Sequence, residues 1–392
     1  MELDVHHRRG LDERSVSLNT SRMNRITLSP RIRTTPFHES TVAAGATDIS
    51  IYNKMVLPLS FGDLKAEYDR LLNGVAIWDV AVERQVQISG PDADVATQYF
   101  TARDISSMVE GQGKYVAMCD HDGRILNDPV LMKLSGNRYW FSIADNDMLL
   151  WCKGIAAERG WDVKVSEPDV SPLAVQGPLA ENLIADLFGD HVRNIKLFRF
   201  IETDLDGIPL VLARSGWSKQ GGFEMFLQDG ARGDDLWERV TTAGERYDIG
   251  PGAPNHVERV ESGLLSWGGD NTPESNPFEV GMANYVDTDT KVDYIGKAAL
   301  QQVVAEGGPK RLFVGLNVDA SLTEAWPLPE RSPVTADGEQ VGTLSAIVHS
   351  HRLGRTIGLA QINRAIVESG TIVEVSTPDG PATAAIQRLP FI

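Results

Sequence analysis

The sequence predicts an α+β protein with two similar lobes followed by an antiparallel, barrel-like β domain. Three observations carry this expectation. A unit of strand, Gly-Pro break, helix and hairpin occurs twice, at Gly90-Pro91 and Gly177-Pro178. After about Lys310 the chain turns β-rich. Its 392 residues are also more than one compact core needs, and suit two or three lobes.

The elements follow in order. Gln85 to Ile88 alternates polar and apolar residues as a strand, and Gly90-Pro91 ends it. Asp92 is placed to cap a short helix that runs to Phe100. Tyr115 to Met118 and Ile125 to Leu134 read as two strands around the Asp122-Gly123 turn. Tyr139 to Ala144 is a further strand, and Asp147 to Arg159 an amphipathic helix. In the second unit, Pro172 to Val175 is a strand and Leu179 to Phe188 a helix. Ile208 to Arg214 and Phe223 to Leu227 then flank the loop from Ser215 to Gly222. Leu312 to Leu316, Gly342 to Val348, Thr356 to Ile362 and Thr371 to Val375 are the strands of the C-terminal domain.

Composition narrows the function. A formal net charge of -17 repels polyanions, and basic residues concentrate only at His6 to Arg9 and Arg31 to Arg33, which argues against nucleic acid as a partner. Cys119 and Cys152 form no CxxC pair, so a disulfide framework or thiolate metal site is not expected and a reducing, cytoplasmic setting fits. No run reaches the length of a membrane span, and no membrane partner is expected. The first residues lack the apolar core of a secretory signal, and residues 1–24 are expected to be a flexible extension. Nucleotide-binding glycine loops and the GxSxG nucleophile turn are absent. His349 and His351 lie on one side of an extended segment, but no carboxylate or cysteine stands near them in sequence, so no metal site is expected.

Two carboxylates stand out. Asp128 interrupts the otherwise apolar run Ile125-Leu126-Asn127-Asp128-Pro129-Val130-Leu131, and Glu224 interrupts Phe223-Glu224-Met225-Phe226. Each fits a turn-capping role, and each fits the N–H groups of a pterin ring. Trp217, in a glycine-flanked loop, has the flat face that would stack on such a ring.

From about Arg31 to Pro390 the sequence resembles the aminomethyltransferase (glycine-cleavage T-protein) superfamily. The resemblance is carried by seven segments in the family's order. They are Ile77-Trp78-Asp79-Val80, Ser89-Gly90-Pro91-Asp92-Ala93, Asp122 to Asp128, Leu173 to Pro178, Arg214 to Glu224, Arg259 to Leu264 and Tyr294 to Leu300. It implies a three-lobed cloverleaf with a C-terminal antiparallel β-barrel and tetrahydrofolate bound in a central channel. The implied boundaries are residues 25–305 for two interleaved folate-binding lobes and 306–392 for the barrel. The family's catalytic aspartate falls on Asp128, its pterin-binding glutamate on Glu224, and a folate-side arginine on Arg259. The tyrosine-threonine-glycine loop of the glycine-cleavage enzyme is replaced here by Gly216 to Gly221, and its polar pterin contact by Ile143.

Within the superfamily the chain is most similar to the dimethylsulfoniopropionate demethylase branch. Arg31 to Phe37, Ile51 to Pro58, Glu83-Arg84-Gln85-Val86, Tyr139-Trp140 and Glu167 to Pro172 carry that likeness. It implies Tyr115, Asp128, Glu224 and Phe226 along the folate site, although an aromatic hydroxyl expected near Phe226 is missing. A sulfonium methyl is already activated, because its leaving group is a neutral thioether. Alignment is therefore the main task, and positioning can supply about 7–11 kcal/mol. A carboxylate touching sulfur would favour the ground state, whereas aromatic faces suit the cation. Trp78, Tyr115, Trp151 and Trp217 are candidates for that role, and Lys54 or Arg84 for holding the substrate carboxylate. The expected partners are a small-molecule methyl donor and folate, with a homodimer left open. Alternatives within the fold are aminomethyl transfer or N- or O-demethylation, and outside catalysis a folate-binding protein without turnover.

Overall fold

A computed structural model describes residues 29–322, 330–368, 370–377 and 379–392. The whole of the expected N-terminal extension, residues 1–24, lies outside these residues. Two sheets and a barrel form three lobes. The five-stranded sheet is ordered Lys164–Ser166, Gln85–Ser89, Arg138–Ser142, Val130–Leu134, Gln112–Tyr115. The six-stranded sheet runs Phe200–Leu205, Ile208–Ala213, Gly222–Leu227, Ser171–Gln176, Val75–Asp79, Ile249–Gly252, and only its last pair is parallel. The closed barrel joins Arg311–Val318, Arg355–Asn363, Glu339–Ser350, Ser332–Ala336, Ile372–Thr377 and Gly380–Gln387, with the first strand pairing back to the last.

Alternation along the strands explains how the two sheets meet. In Gly222–Leu227, Phe223, Met225 and Leu227 face outward into a core shared with helices Ala180–Phe188 and Gly233–Gly244. Glu224 and Phe226 take the other face. Tyr139 and Phe141 likewise face outward towards helices Ala93–Phe100 and Met148–Arg159, which leaves Trp140 and Ser142 inward. The inner faces pack against each other through Met132, Leu134 and Trp140 on one side and Val211, Ala213 and Phe226 on the other. Burying each large apolar side chain there contributes about 1.5–3 kcal/mol.

The recurring Gly-Pro break has a steric cause. Gly90 has φ 130° and Gly177 φ 123°, and a Cβ would come within 2.6 Å of the Asp162 carbonyl at the first and 2.5 Å of the Gly74 carbonyl at the second. Both helices can pack that close to a neighbouring backbone only where no side chain intervenes.

Three sequence expectations change. Tyr115 to Met118 is not one strand, because Gln112–Tyr115 ends where it begins and Met118–Cys119 starts a separate pair. Ile125 to Leu134 is not one strand. Ile125–Asn127 pairs with Met118–Cys119, whereas Val130–Leu134 joins the five-stranded sheet. Pro129 has no N–H for a continuous ladder, so the chain breaks there and Asp128 falls in the gap. Asp92 does not cap its helix. Its Oδ2 accepts instead from the Asp162 amide at 2.8 Å, tying the helix start to the connection that precedes strand Lys164–Ser166.

The helix His256–Ser262 joins the lobes to the barrel and is buried from Val257 to Ser262, three charges included. Each charge has partners. Arg259 reaches Asp270 at 2.8 Å, and Asp270 also accepts from the Ser266 amide at 2.7 Å and the barrel hydroxyl Ser345 at 2.6 Å. Glu261 accepts from Tyr68 at 2.8 Å and from Ser350 and Arg352 of the barrel. Glu258 accepts from the Lys219 amide at 3.0 Å and from Ser262 at 2.7 Å, and so holds the loop between the two central strands. Asp270→Ala would strand a buried guanidinium, so denaturant unfolding should show a loss of about 3–5 kcal/mol. A loss below about 1 kcal/mol would contradict this role for the pair.

Candidate active site

Beside the packed inner faces, three carboxylates come together from two connections and one strand. Glu83 sits in the crossing from strand Val75–Asp79 of one sheet to strand Gln85–Ser89 of the other. Asp128 occupies the break before Pro129, and Glu224 projects from the inner face of its strand. Mutual repulsion links them: Glu83 feels the charges of Glu224 and Asp128, and Asp128 feels that of Asp270.

Neutral donors fix each one. Tyr115 donates to Asp128 Oδ2 at 2.6 Å, and Ser215 donates to Glu224 Oε2. Ser142 donates to Glu83 Oε2 at a long 3.4 Å and itself accepts from Gln85 at 3.0 Å. Asp128 Oδ1 is buried with no hydrogen-bond partner among the described residues. Removing these groups from water penalises their charged forms. Burial pushes Asp128 up to about 7 and Glu83 up to about 8, and it raises Glu224 despite the Ser215 hydroxyl.

Asparagines hold the loops that carry the carboxylates. Asn53 and Lys54 form the tip of hairpin Asp48–Tyr52/Met55–Ser60 with positive φ of 49° and 61°. From that tip the buried Asn53 amide donates to the Val82 carbonyl at 3.0 Å and the Ala144 carbonyl at 3.2 Å. Asn127 exchanges two bonds with Ala144, at 3.0 and 3.1 Å. The segments bearing Glu83, Asp128 and Ser142 are thus stapled together by amides, which add no charge.

Aromatic rings complete the walls. The Tyr52 phenol is raised by burial first and then by Glu83 and Asp128, which places it among the carboxylates. Tyr115 meets Tyr285 edge to face with ring centroids 4.8 Å apart. Trp217 is half-buried in the loop beside Ser215. Gly216 of that loop has φ 147°, and a Cβ there would overlap the Gln176 amide, 2.1 Å away. The loop therefore closes onto Gln176, whose Nε2 donates to the Ser215 carbonyl at 3.1 Å.

The structure brings Tyr115, Asp128 and Glu224 together with Glu83, but it moves other expected site residues elsewhere. Phe226 is core, packed on Trp140 with centroids 6.3 Å apart. Trp78 shares the inner face with Glu224 but is wholly buried against Leu71 and Ala174. Trp151 packs into the five-stranded lobe, beside His121. Arg259 spends its guanidinium on Asp270, a buried ion pair, instead of facing a ligand. Lys54 and Arg84 line a surface groove of about 270 Å³ with Arg31 and Arg33, and none of the three carboxylates lines it. There Lys54 pairs with Asp147 at 3.3 Å and Arg84 with Glu167, so neither side chain is free. His349 and His351 stack edge to face, and His351 also lies against Tyr68.

Glu83 and Tyr52 are site residues that the sequence did not single out. Glu83 precedes an arginine in a short connection and looks like half of a solvated pair. The usable signal was the apolar flank Ala81-Val82, which puts the connection in the core.

The chemistry of the pocket is that of a wall of acceptors. Asp128 Oδ1 has no donor among the described residues, aromatic edges lie alongside, and the charges that Glu83 and Asp128 feel are negative. A pterin edge, rich in N–H groups, fits such a set.

Comparison with known proteins adds the lineage. The GCVT N-terminal domain matches residues 37–290, and the glycine cleavage T-protein C-terminal barrel domain matches residues 311–392. The chain is 44% identical over 363 residues to dimethylsulfoniopropionate demethylase DmdA of Ruegeria pomeroyi, covering 92% of this chain and 97% of that one. It is 30% identical over 347 residues to the aminomethyltransferase of Bacillus subtilis, covering 86% and 92%. The crystal structure of aminomethyltransferase T from Bartonella henselae superposes with a TM-score of 0.82 at 21% identity, covering 92% and 98%, which establishes the shared fold.

The raised acids set a pH dependence for stability. Asp79, pushed by burial to about 6, joins Asp128 at about 7 and Glu83 at about 8. Each binds its proton more tightly folded than unfolded, so stability falls as pH rises through these values. Thermal unfolding of the ligand-free protein should therefore show Tm decreasing from pH 5.5 to about 8.5. A Tm that is flat or rising over that window would contradict the placement of these acids.

Proposed function

For a chain that belongs to the glycine cleavage T-protein family, we propose the activity of a tetrahydrofolate-dependent methyltransferase that demethylates dimethylsulfoniopropionate. Methylmercaptopropionate and 5-methyltetrahydrofolate would be the products. The observation that carries this reading is the charge of the pocket. Three carboxylates converge with aromatic edges, and among the described residues no cationic side chain is paired to them, which suits a positively charged donor. The 44% identity to a dimethylsulfoniopropionate demethylase over nearly the whole chain supports the same donor.

Tetrahydrofolate supplies the methyl-accepting amine, N5. The protein's part is to bind and orient. Asp128 is held by Tyr115 through Oδ2, and its unpartnered Oδ1 is the acceptor for an N–H of the bound folate. In this reading Glu224, fixed by Ser215, takes the amino edge of the pterin, and Trp217, half-buried in the loop that carries Ser215, covers its face. The methyl–sulfur bond breaks with its electron pair going to sulfur, so the thioether leaves neutral and needs no proton from an acid. The amine that gains the methyl loses its hydrogen, so one proton is released per turnover. Buried carboxylates with raised affinity for protons are suited to receive it. Alignment in a site walled from water is the larger contribution, up to about 7–11 kcal/mol.

The test is direct. Purified protein, dimethylsulfoniopropionate and tetrahydrofolate are incubated without oxygen, and the products are identified by mass. Equal amounts of methylmercaptopropionate and 5-methyltetrahydrofolate are expected. If the protein binds tetrahydrofolate but transfers no methyl, the donor assignment is wrong.

A further inference from the structure

We propose that Glu83 is the residue that makes this site select a permanently cationic methyl donor over a neutral molecule of the same shape. The proposal rests on the demethylase reading above and adds to it the residue that reads the donor's charge.

Glu83 differs from its two neighbours in how it is held. Asp128 has a tyrosine hydroxyl at 2.6 Å and Glu224 has a serine hydroxyl, whereas among the described residues the Glu83 side chain has only Ser142 at 3.4 Å. Its backbone, by contrast, is fixed. Its N–H donates to the Val80 carbonyl at 2.9 Å, and its carbonyl accepts from Gln85 Nε2 at 2.7 Å. Arg84, the next residue, turns away to Glu167, so the nearest cation in sequence does not neutralise it.

The groups facing Glu83 from the packed elements are Glu224 on its strand, Asp128 in the strand break and the Tyr52 phenol on the hairpin. Asp145 lies beyond Tyr52. All are acidic. A carboxylate in such company has two comfortable states: protonated, or ionised opposite a bound cation. In the ligand-free protein burial favours the first, and Glu83 holds its proton up to about pH 8. Entry of a sulfonium makes the second available, with the tyrosine rings offering further faces to the cation.

Charge bookkeeping over the reaction fits the same residue. Positive charge enters on sulfur, moves towards the acceptor as the carbon–sulfur bond breaks and the carbon–nitrogen bond forms, and departs as the released proton. A carboxylate that senses the whole site, and does not contact sulfur alone, keeps its partner throughout the transfer. Glu83 Oε1 is the resting place for that proton, so the site is neutral at Glu83 when the neutral thioether must leave.

The experiment compares binding of dimethylsulfoniopropionate with its neutral carbon isostere, 4-methylpentanoate, by calorimetry on the full chain from pH 6 to 9. Wild-type protein should prefer the sulfonium at least tenfold at pH 8.5, with the preference shrinking as pH falls. Glu83→Gln should cut that preference at least fivefold while leaving tetrahydrofolate affinity within twofold. Glu83→Asp should keep it within threefold, which also guards against misfolding of the first variant. Equal weakening of both ligands in Glu83→Gln, loss of the preference in Glu83→Asp, or no preference in wild type would overturn the proposal. Turnover is scored separately. Glu83-dependent preference for onium carboxylates without demethylation would sink the donor assignment alone, whereas demethylation with a Glu83-independent preference would sink this inference alone.

Discussion

The site depends on one constraint: three carboxylates must be held close together at the seam of two sheets with no cation among the described residues paired to them. Burying like charges is costly, and the molecule limits that cost by using neutral donors and a deep hydrophobic frame. Tyr115, Ser215 and Ser142 supply hydroxyls to the carboxylates. Asn53 and Asn127 fix the surrounding loops with amides. A lysine or arginine in any of these places would stabilise the empty protein and fill the role left for the ligand. The cations nearest the seam are committed to other carboxylates, Arg84 to Glu167 and Arg259 to Asp270.

The fold supplies the rigidity this arrangement requires. Outward faces of both sheets are covered by helices, and inward faces meet through Trp140 and Phe226. The diverging end of that interface is where polar side chains replace apolar ones along the same strand faces. Ser142 follows Trp140 by two residues, and Glu224 precedes Phe226 by two. The barrel contributes through one buried helix. Asp270 exemplifies the link, since it binds Arg259 and the barrel's Ser345 and its charge is felt by Asp128.

Much of this was legible in the sequence because local physics dictated it. Gly-Pro breaks marked two real close approaches, and the interrupted apolar runs pointed to Asp128 and Glu224. What the sequence could not show was which neighbour each side chain would meet. Trp78, Trp151 and Phe226 look like ligand-stacking residues, yet each has an apolar pocket to fill. Lys54 and Arg84 look like free cations, but acidic residues distant in sequence, Asp147 and Glu167, take them. Glu83 is the converse. Beside an arginine it looks solvated, and only the crossing between sheets turns it inward.

On this reading the carboxylates hold protons while the site is empty and yield them to a cationic donor. Calorimetry of dimethylsulfoniopropionate binding at pH 7, repeated in buffers of differing ionisation enthalpy, counts the protons exchanged. The account predicts release of about one proton per donor bound, because acids raised to about 7 and 8 must ionise to meet the cation. Binding with no proton released, or with protons taken up, would contradict it.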